Sequence, residues 1–186
     1  MEEAVSGAAD EMHFDYTVDV MNVMTEIRKA WGLSYPEERE VIIGGIVMEY
    51  RRFKDTIVAR LDRGEEILAQ VKEIALKEEI KLASIQALGA MNKFTVGVFK
   101  TDEKEYLANE FCGSFEIVSL TGTVNTMNDE FYCHLHMSAG NDKGEVFGGH
   151  LNQAVVSATC EMVITVIDGA VDRYYDEQIG LNLFRF

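Results

Sequence analysis

Seven runs of strand-like residues follow one another between Ala83 and Ile167, and they restrict this chain to a sheet-built fold. The runs are Ala83 to Ala90, Lys93 to Lys100, Glu105 to Phe111, Phe115 to Asn125, Glu130 to Ala139, Glu145 to Leu151 and Thr159 to Ile167. Each contains β-branched or aromatic residues and none contains proline. Short turns separate them, among them Met91-Asn92, Thr101-Asp102-Glu103, Cys112-Gly113-Ser114 and Met127-Asn128-Asp129. Ahead of them, Phe53 to Leu61 reads as one more strand, with Ile57, Ala59 and Leu61 alternating against Thr56, Val58 and Arg60. Asp62 then reads as a helix N-cap, and Glu65 three residues on completes a capping-box pattern. The helix that follows carries Ile67, Leu68, Val71, Ile74 and Ala75 on one side and ends near Glu79. Its other side sends Glu66, Gln70, Lys72, Glu73 and Lys77 to water. One helix against many short strands predicts an α+β domain with a curved, mostly antiparallel sheet.

Three of the four histidines fall between Phe131 and Leu151. Alternation on a strand places Tyr132, His134, His136 and Ser138 on one face and Phe131, Cys133, Leu135 and Met137 on the other. The second set is an apolar stripe, so the histidines stand on the polar side, roughly 6–7 Å apart at Cα. The run Gly140-Asn141-Asp142-Lys143-Gly144 is a reversal signal that returns Glu145 to Leu151 beside the first strand. Gly148-Gly149 permits close backbone approach or a bulge, which aims His150 across the same face. Three neutral imidazoles with one open position suit a zinc ion. The same letters also describe histidines on a hydrogen-bonded sheet face with no ion.

Other features bound the function. The chain has 186 residues and a formal charge of −15, which repels phosphate and argues against direct nucleic-acid binding. Only Arg51-Arg52-Phe53-Lys54 is locally basic. Cys112, Cys133 and Cys160 are an odd set without C-x-x-C spacing, which points to reduced thiols and a cytoplasmic protein. No signal-peptide core and no apolar run of membrane-spanning length is present.

Residues 1–47 differ in character from the rest. Glu2 to Asp15 are small and acidic, and Val18 to Trp31 carry the spacing of one short amphipathic helix. Gly44-Gly45 lies shortly before Met48, and its two GGN codons resemble a translated ribosome-binding site. This reading makes residues 1–47 an extension and residues 48–186 the domain; the alternative is a genuine, partly ordered N-terminal segment. The tail Gly169 to Phe186 is rich in Tyr, Leu and Phe and is expected to pack on the domain or on a neighbouring subunit.

Two carboxylates stand out beside the histidines. Glu161, in a strand with Met162, Val163 and Ile164, reads as a group that orients a histidine, as a general base, or as an edge residue. Glu116 carries the same ambiguity, with a structural ion pair to Arg60 as its bland alternative. Cys133 points away from the histidine face and reads as core filler. No nucleophile elbow, P-loop or dinucleotide fingerprint is present, so no cofactor-binding residues are assigned.

Four stretches, in order, carry a family likeness: RLDRGEEILAQVKEIALKEEIKLASIQALGA, FEIVSLTGTV, HLHMSAGNDKGEVFGGHL and ATCEMVITV. Together they resemble the plants-and-prokaryotes conserved domain, abbreviated PPC or PCC, from about Glu49 to Asp168. The resemblance implies a homotrimer and a cluster of three histidines, here His134, His136 and His150, which in some prokaryotic relatives holds zinc. Plant relatives add a basic R-G-R-P hook for DNA, and the family is often labelled DNA-binding. This chain has no such hook, since Pro36 is its sole proline. The expected function is therefore a trimeric binding or regulatory module with a three-histidine metal site and a small-molecule or protein ligand. The alternative is a zinc-dependent hydrolase or lyase acting on a small molecule, with Glu161 or Glu116 as proton carrier. A DNA-binding role through a partner or through trimer geometry comes third.

Overall fold

The computed structural model describes the backbone of residues 38–43 and 46–186, and side chains from Met48 onward. The expectations for an N-terminal helix and for Gly44-Gly45 lie outside the described residues. Residues from Glu37 to Phe186 form one compact unit.

Nine strands and one helix make up the described chain: β1 (Glu38–Ile43), β2 (Ile46–Phe53), β3 (Thr56–Asp62), α1 (Ile67–Lys77), β4 (Ala83–Lys100), β5 (Glu105–Met127), β6 (Glu130–Gly140), β7 (Val146–Val166), β8 (Asp172–Asp176) and β9 (Leu181–Arg185). The first seven form one antiparallel sheet in the order β1-β2-β3-β7-β4-β5-β6, and β6 also pairs with β7. That last pairing closes β4, β5, β6 and the first part of β7 into a barrel-like circuit. The expected α+β class and antiparallel curved sheet with one helix are therefore present.

Several expected strand limits are corrected. The run starting at Phe53 is broken by a hairpin at Lys54-Asp55, where Lys54 adopts φ 54°, so β3 begins at Thr56. The breaks expected at Met91-Asn92 and Cys112-Gly113-Ser114 are bulges within the long strands β4 and β5. Asn92 there faces two residues, Gly113 and Ser114, because Met91 pairs with Phe115 and Lys93 with Cys112. A bulge and a turn call for the same permissive residues, but a bulge bends the strand and leaves the ladder running. The two strands expected between Glu145 and Ile167 are likewise one. Gln153, Ala154, Val155 and Val156 keep pairing with β4 across the intervening segment.

The core lies between α1 and the inner face of the sheet. Ile67, Val71, Ile74 and Ala75 of α1 are buried against Ile57, Leu61, Ile85, Met162 and Ile164. Gln70, expected to face water, is buried at 9% exposure. Inside the closed part, Phe94 stacks on Phe111 at 4.9 Å, Phe111 on Phe147 at 4.7 Å, and Phe115 meets Phe94 edge-on. Aromatic pairs at such spacings add to what their burial contributes.

The start of α1 also differs from expectation. Asp62 ends β3, and its N–H donates to Glu65 Oε2 at 2.6 Å, so the predicted back-bond exists without capping a helix. The cap is Glu66: Oε2 accepts from Ala69 N at 2.7 Å and Oε1 accepts from Ala154 N of β7 at 3.0 Å. One carboxylate thus satisfies an orphan helix donor and a strand donor together. Glu66→Ala is expected to cost about 1–2 kcal/mol by chemical denaturation; Glu66→Gln, which keeps one acceptor, loses less. Equal stability of wild type and Glu66→Ala would refute this account.

The aromatic tail forms the β8–β9 hairpin and packs on the domain. Arg173, 5% exposed, is sandwiched between the rings of Tyr132 at 4.7 Å and Phe184 at 4.2 Å. Its Nε donates to Asn125 Oδ1 at 3.0 Å and its Nη1 to Asn182 O at 2.7 Å, so the buried cation is held by neutral acceptors and ring faces.

Candidate metal centre

β6 alternates as its letters require. Leu135 and Met137 are 1% and 3% exposed on the inner face, which turns His134 and His136 outward. The reversal after Gly140 is an Asn-centred turn: Asn141 Oδ1 accepts the N–H groups of Lys143 and Glu145, and Gly144 closes it at φ 77°. It sets the register in which His136 pairs directly with His150. Gly148 and Gly149 are required for this approach. A Cβ at Gly148 would lie 2.6 Å from Met137 O, and one at Gly149 would lie 2.6 Å from Gly97 O.

The three imidazoles meet at one point. Their nearest ring nitrogens all lie within 4.8 Å of one another, and the Nε2 atoms of His134 and His136 are 3.2 Å apart. Ring centroids are 5.1 Å apart for His134 and His136, 5.0 Å for His134 and His150, and 5.6 Å for His136 and His150. Tetrahedral zinc holds imidazole nitrogens at roughly 2.0–2.1 Å, which separates two of them by about 3.3 Å. The observed spread is that arrangement slightly opened, so the donor set fits such an ion. His134 and His150 are half-buried and His136 is exposed, which leaves an approach from solvent.

Electrostatics favours the ligand form. Burial, and then the neighbouring His150, His136 and Arg173, push His134 down to about 4. Burial and then His136 also lower His150. Both rings are thus neutral at pH 7, as metal binding requires. The linkage sign follows: the unfolded chain takes up its proton near 6.5, before folded His134 does at about 4. This contribution to stability is complete above pH 6.5 and is lost as pH falls from 6.5 towards 4. Urea titrations of metal-free protein across that window should show the loss, and His134→Asn should reduce it. Identical pH profiles for the two proteins would contradict the assignment.

The structure does not bring the two candidate carboxylates to the cluster. Glu161 lies on β7 eleven residues beyond His150, roughly 30–35 Å along the strand. It is not an edge residue either, since β3 and β4 flank it through Arg60 and Leu88. Glu116 pairs with Gly140, four residues beyond His136 and roughly 13 Å along β6. Arg60 pairs with Glu49 at 3.3 Å and Asp62 at 3.0 Å, so among the described residues it is not the partner that the alternative reading of Glu116 offered. Cys133 does not join the cluster; burial first, and Glu66 next, push its thiol up to about 12. Among the described residues no carboxylate or thiol joins the three histidines. Sequence reasoning missed Tyr106 and Arg173, which the structure brings to the surroundings of the cluster from distant strands. No local pattern marks either one.

Fold and site together define a one-helix α+β domain bearing three convergent histidines on the outer face of its sheet. A family model for the Plants and Prokaryotes Conserved (PCC) domain matches residues 48–168, and the chain belongs to that family. Solved structures agree. A metal-containing protein from Archaeoglobus fulgidus is 36% identical, with a TM-score of 0.66, covering 75% of this chain and 99% of that one. A plant- and prokaryote-conserved protein from Pyrococcus horikoshii is 31% identical, with a TM-score of 0.65 over 78% of this chain and 98% of that one. A candidate DNA-binding protein from Bacteroides thetaiotaomicron is 27% identical, with a TM-score of 0.73 over 75% of this chain and 97% of that one. No protein of curated function matches the chain.

Proposed function

We propose that this chain is a metal-dependent binding module of the PCC family, with a zinc-class divalent ion held by His134, His136 and His150. The observation that carries the reading is the convergence of three imidazole nitrogens within 4.8 Å on one sheet face. The metal-containing name of the 36% identical archaeal relative supports it. A bound ion would supply a Lewis-acid centre for an oxygen or nitrogen donor of a ligand. A binding role is favoured over hydrolysis because, among the described residues, no carboxylate joins the three histidines to carry a proton. The charge of −15 weighs against direct contact with DNA, although a relative carries that name.

The module is proposed to work as a homotrimer in the cytoplasm. Val58, Leu88, Val118, Val146 and Val163 are 42–60% exposed on the outer sheet face, which is more aliphatic surface than scattered single residues present. The three cysteines are free, in keeping with a reducing compartment. No described helix is long and apolar enough to cross a membrane. Light scattering should give three times the chain mass of 20.9 kDa, and a monomer would refute the trimer. The metal reading is tested by dialysis of tag-free protein against zinc followed by elemental analysis. One ion per chain is expected; a metal-free protein at micromolar zinc would refute it.

A further inference from the structure

A metal-binding imidazole is ordinarily oriented by a hydrogen bond from its second nitrogen to a carboxylate or carbonyl. Among the described residues, the hydrogen bond at the cluster joins His134 to His136, and His150 is bounded instead by rings. One of those rings is not a histidine. Tyr106 stands edge-on to His150 at 6.1 Å and an interplanar angle of 90°.

Two separate contacts place that phenol. Gly97, the residue of β4 that pairs with His150, lies beneath it. A Cβ at Gly97 would come within 2.5 Å of Tyr106 Cζ and 2.6 Å of Leu107 O, so the ring occupies the space a side chain would take. The hydroxyl donates to Asn152 Oδ1 at 2.5 Å. Asn152 is the extra residue of β7, two beyond His150, where the register with β4 shifts between Leu151 and Gln153. A bulge of this kind re-aims a side chain. Interior packing does not account for the arrangement, because Tyr106 is 39% exposed on the outer surface.

We propose that Tyr106, seated over Gly97 and tied to Asn152, is the positioning residue that fixes the His150 ring for metal binding. The proposal rests on the metal reading of the cluster. Ring packing here restrains the imidazole and keeps it from turning away from His134 and His136.

Cobalt(II) is the probe, because its visible d–d absorption reports ligand geometry as well as affinity. Tyr106→Ala is expected to weaken cobalt binding about tenfold and to shift the d–d band, with the urea midpoint of the metal-free protein unchanged. Tyr106→Phe keeps the ring edge and should recover most of the affinity and the wild-type band. If Tyr106→Ala lowers the urea midpoint, Tyr106→Leu decides: it fills the space over Gly97 without an aromatic edge and should show the same cobalt defect at a wild-type midpoint. Wild-type cobalt affinity and spectrum in Tyr106→Ala or Tyr106→Leu would overturn the proposal while leaving the metal site standing. A wild-type protein that binds no cobalt would end both.

Discussion

His150→Ala is expected to lower zinc affinity by at least about 100-fold, removing stoichiometric metal at micromolar zinc. Loss of an outer hydrogen-bonding partner alone costs metal sites about 10–100-fold, and this change removes one of three ligands outright. His134 and His136 would remain 3.2 Å apart, but two imidazoles from one strand do not enclose an ion. The metal-free fold should be little affected. His150 is half-buried on the outer face, and the close β6–β7 approach depends on the backbone at Gly148 and Gly149. Dialysis against zinc with elemental analysis checks the first point, and urea denaturation without metal checks the second. Full zinc occupancy in the variant would show that the ion sits elsewhere.

The second large effect is structural. Gly122→Ala should destabilise the protein by about 3 kcal/mol or more, and metal binding should fail with the fold. A Cβ at Gly122 would overlap His134 O and come within 2.8 Å of both Leu135 Cα and Leu135 Cδ2. Two of these atoms are backbone of β6 and the third belongs to a fully buried side chain, so none can move aside cheaply. The strand would have to separate from β5 at the Gly122–Leu135 pair, next to His134. Thr121→Ala is the control, since Thr121 is exposed on the outer face one residue away; it should change stability by less than about 0.5 kcal/mol. Urea denaturation of both variants compares them directly, and matching midpoints would mean that the ladder is looser than drawn.

Much of the site was readable from the chain. The outward face of His134 and His136 follows from alternation against Leu135 and Met137, and the Asn141 turn returns the strand that carries His150. Both are short-range effects, so a local pattern contains them. Glu161 and Glu116 show the converse. Each looks chemically apt beside the histidines in sequence, but strand rise carries one far along β7 and the other to the turn end of β6. The helix start shows it again: the capping-box letters at Asp62 and Glu65 form their back-bond, while Glu66 takes the cap because β7 supplies a second donor at Ala154.

Composition and periodicity alone pointed to the class of fold, the inward and outward faces of β6, the net negative charge and the return of the His150 strand beside the first. These depend on alternation, turn chemistry and charge, which act between near neighbours. The continuity of β4, β5 and β7 through their bulges, and the placing of Tyr106 and Arg173, were decided only in three dimensions. Those features join residues distant in sequence, and the curvature that brings them together is the summed effect of bulges and twist along whole strands.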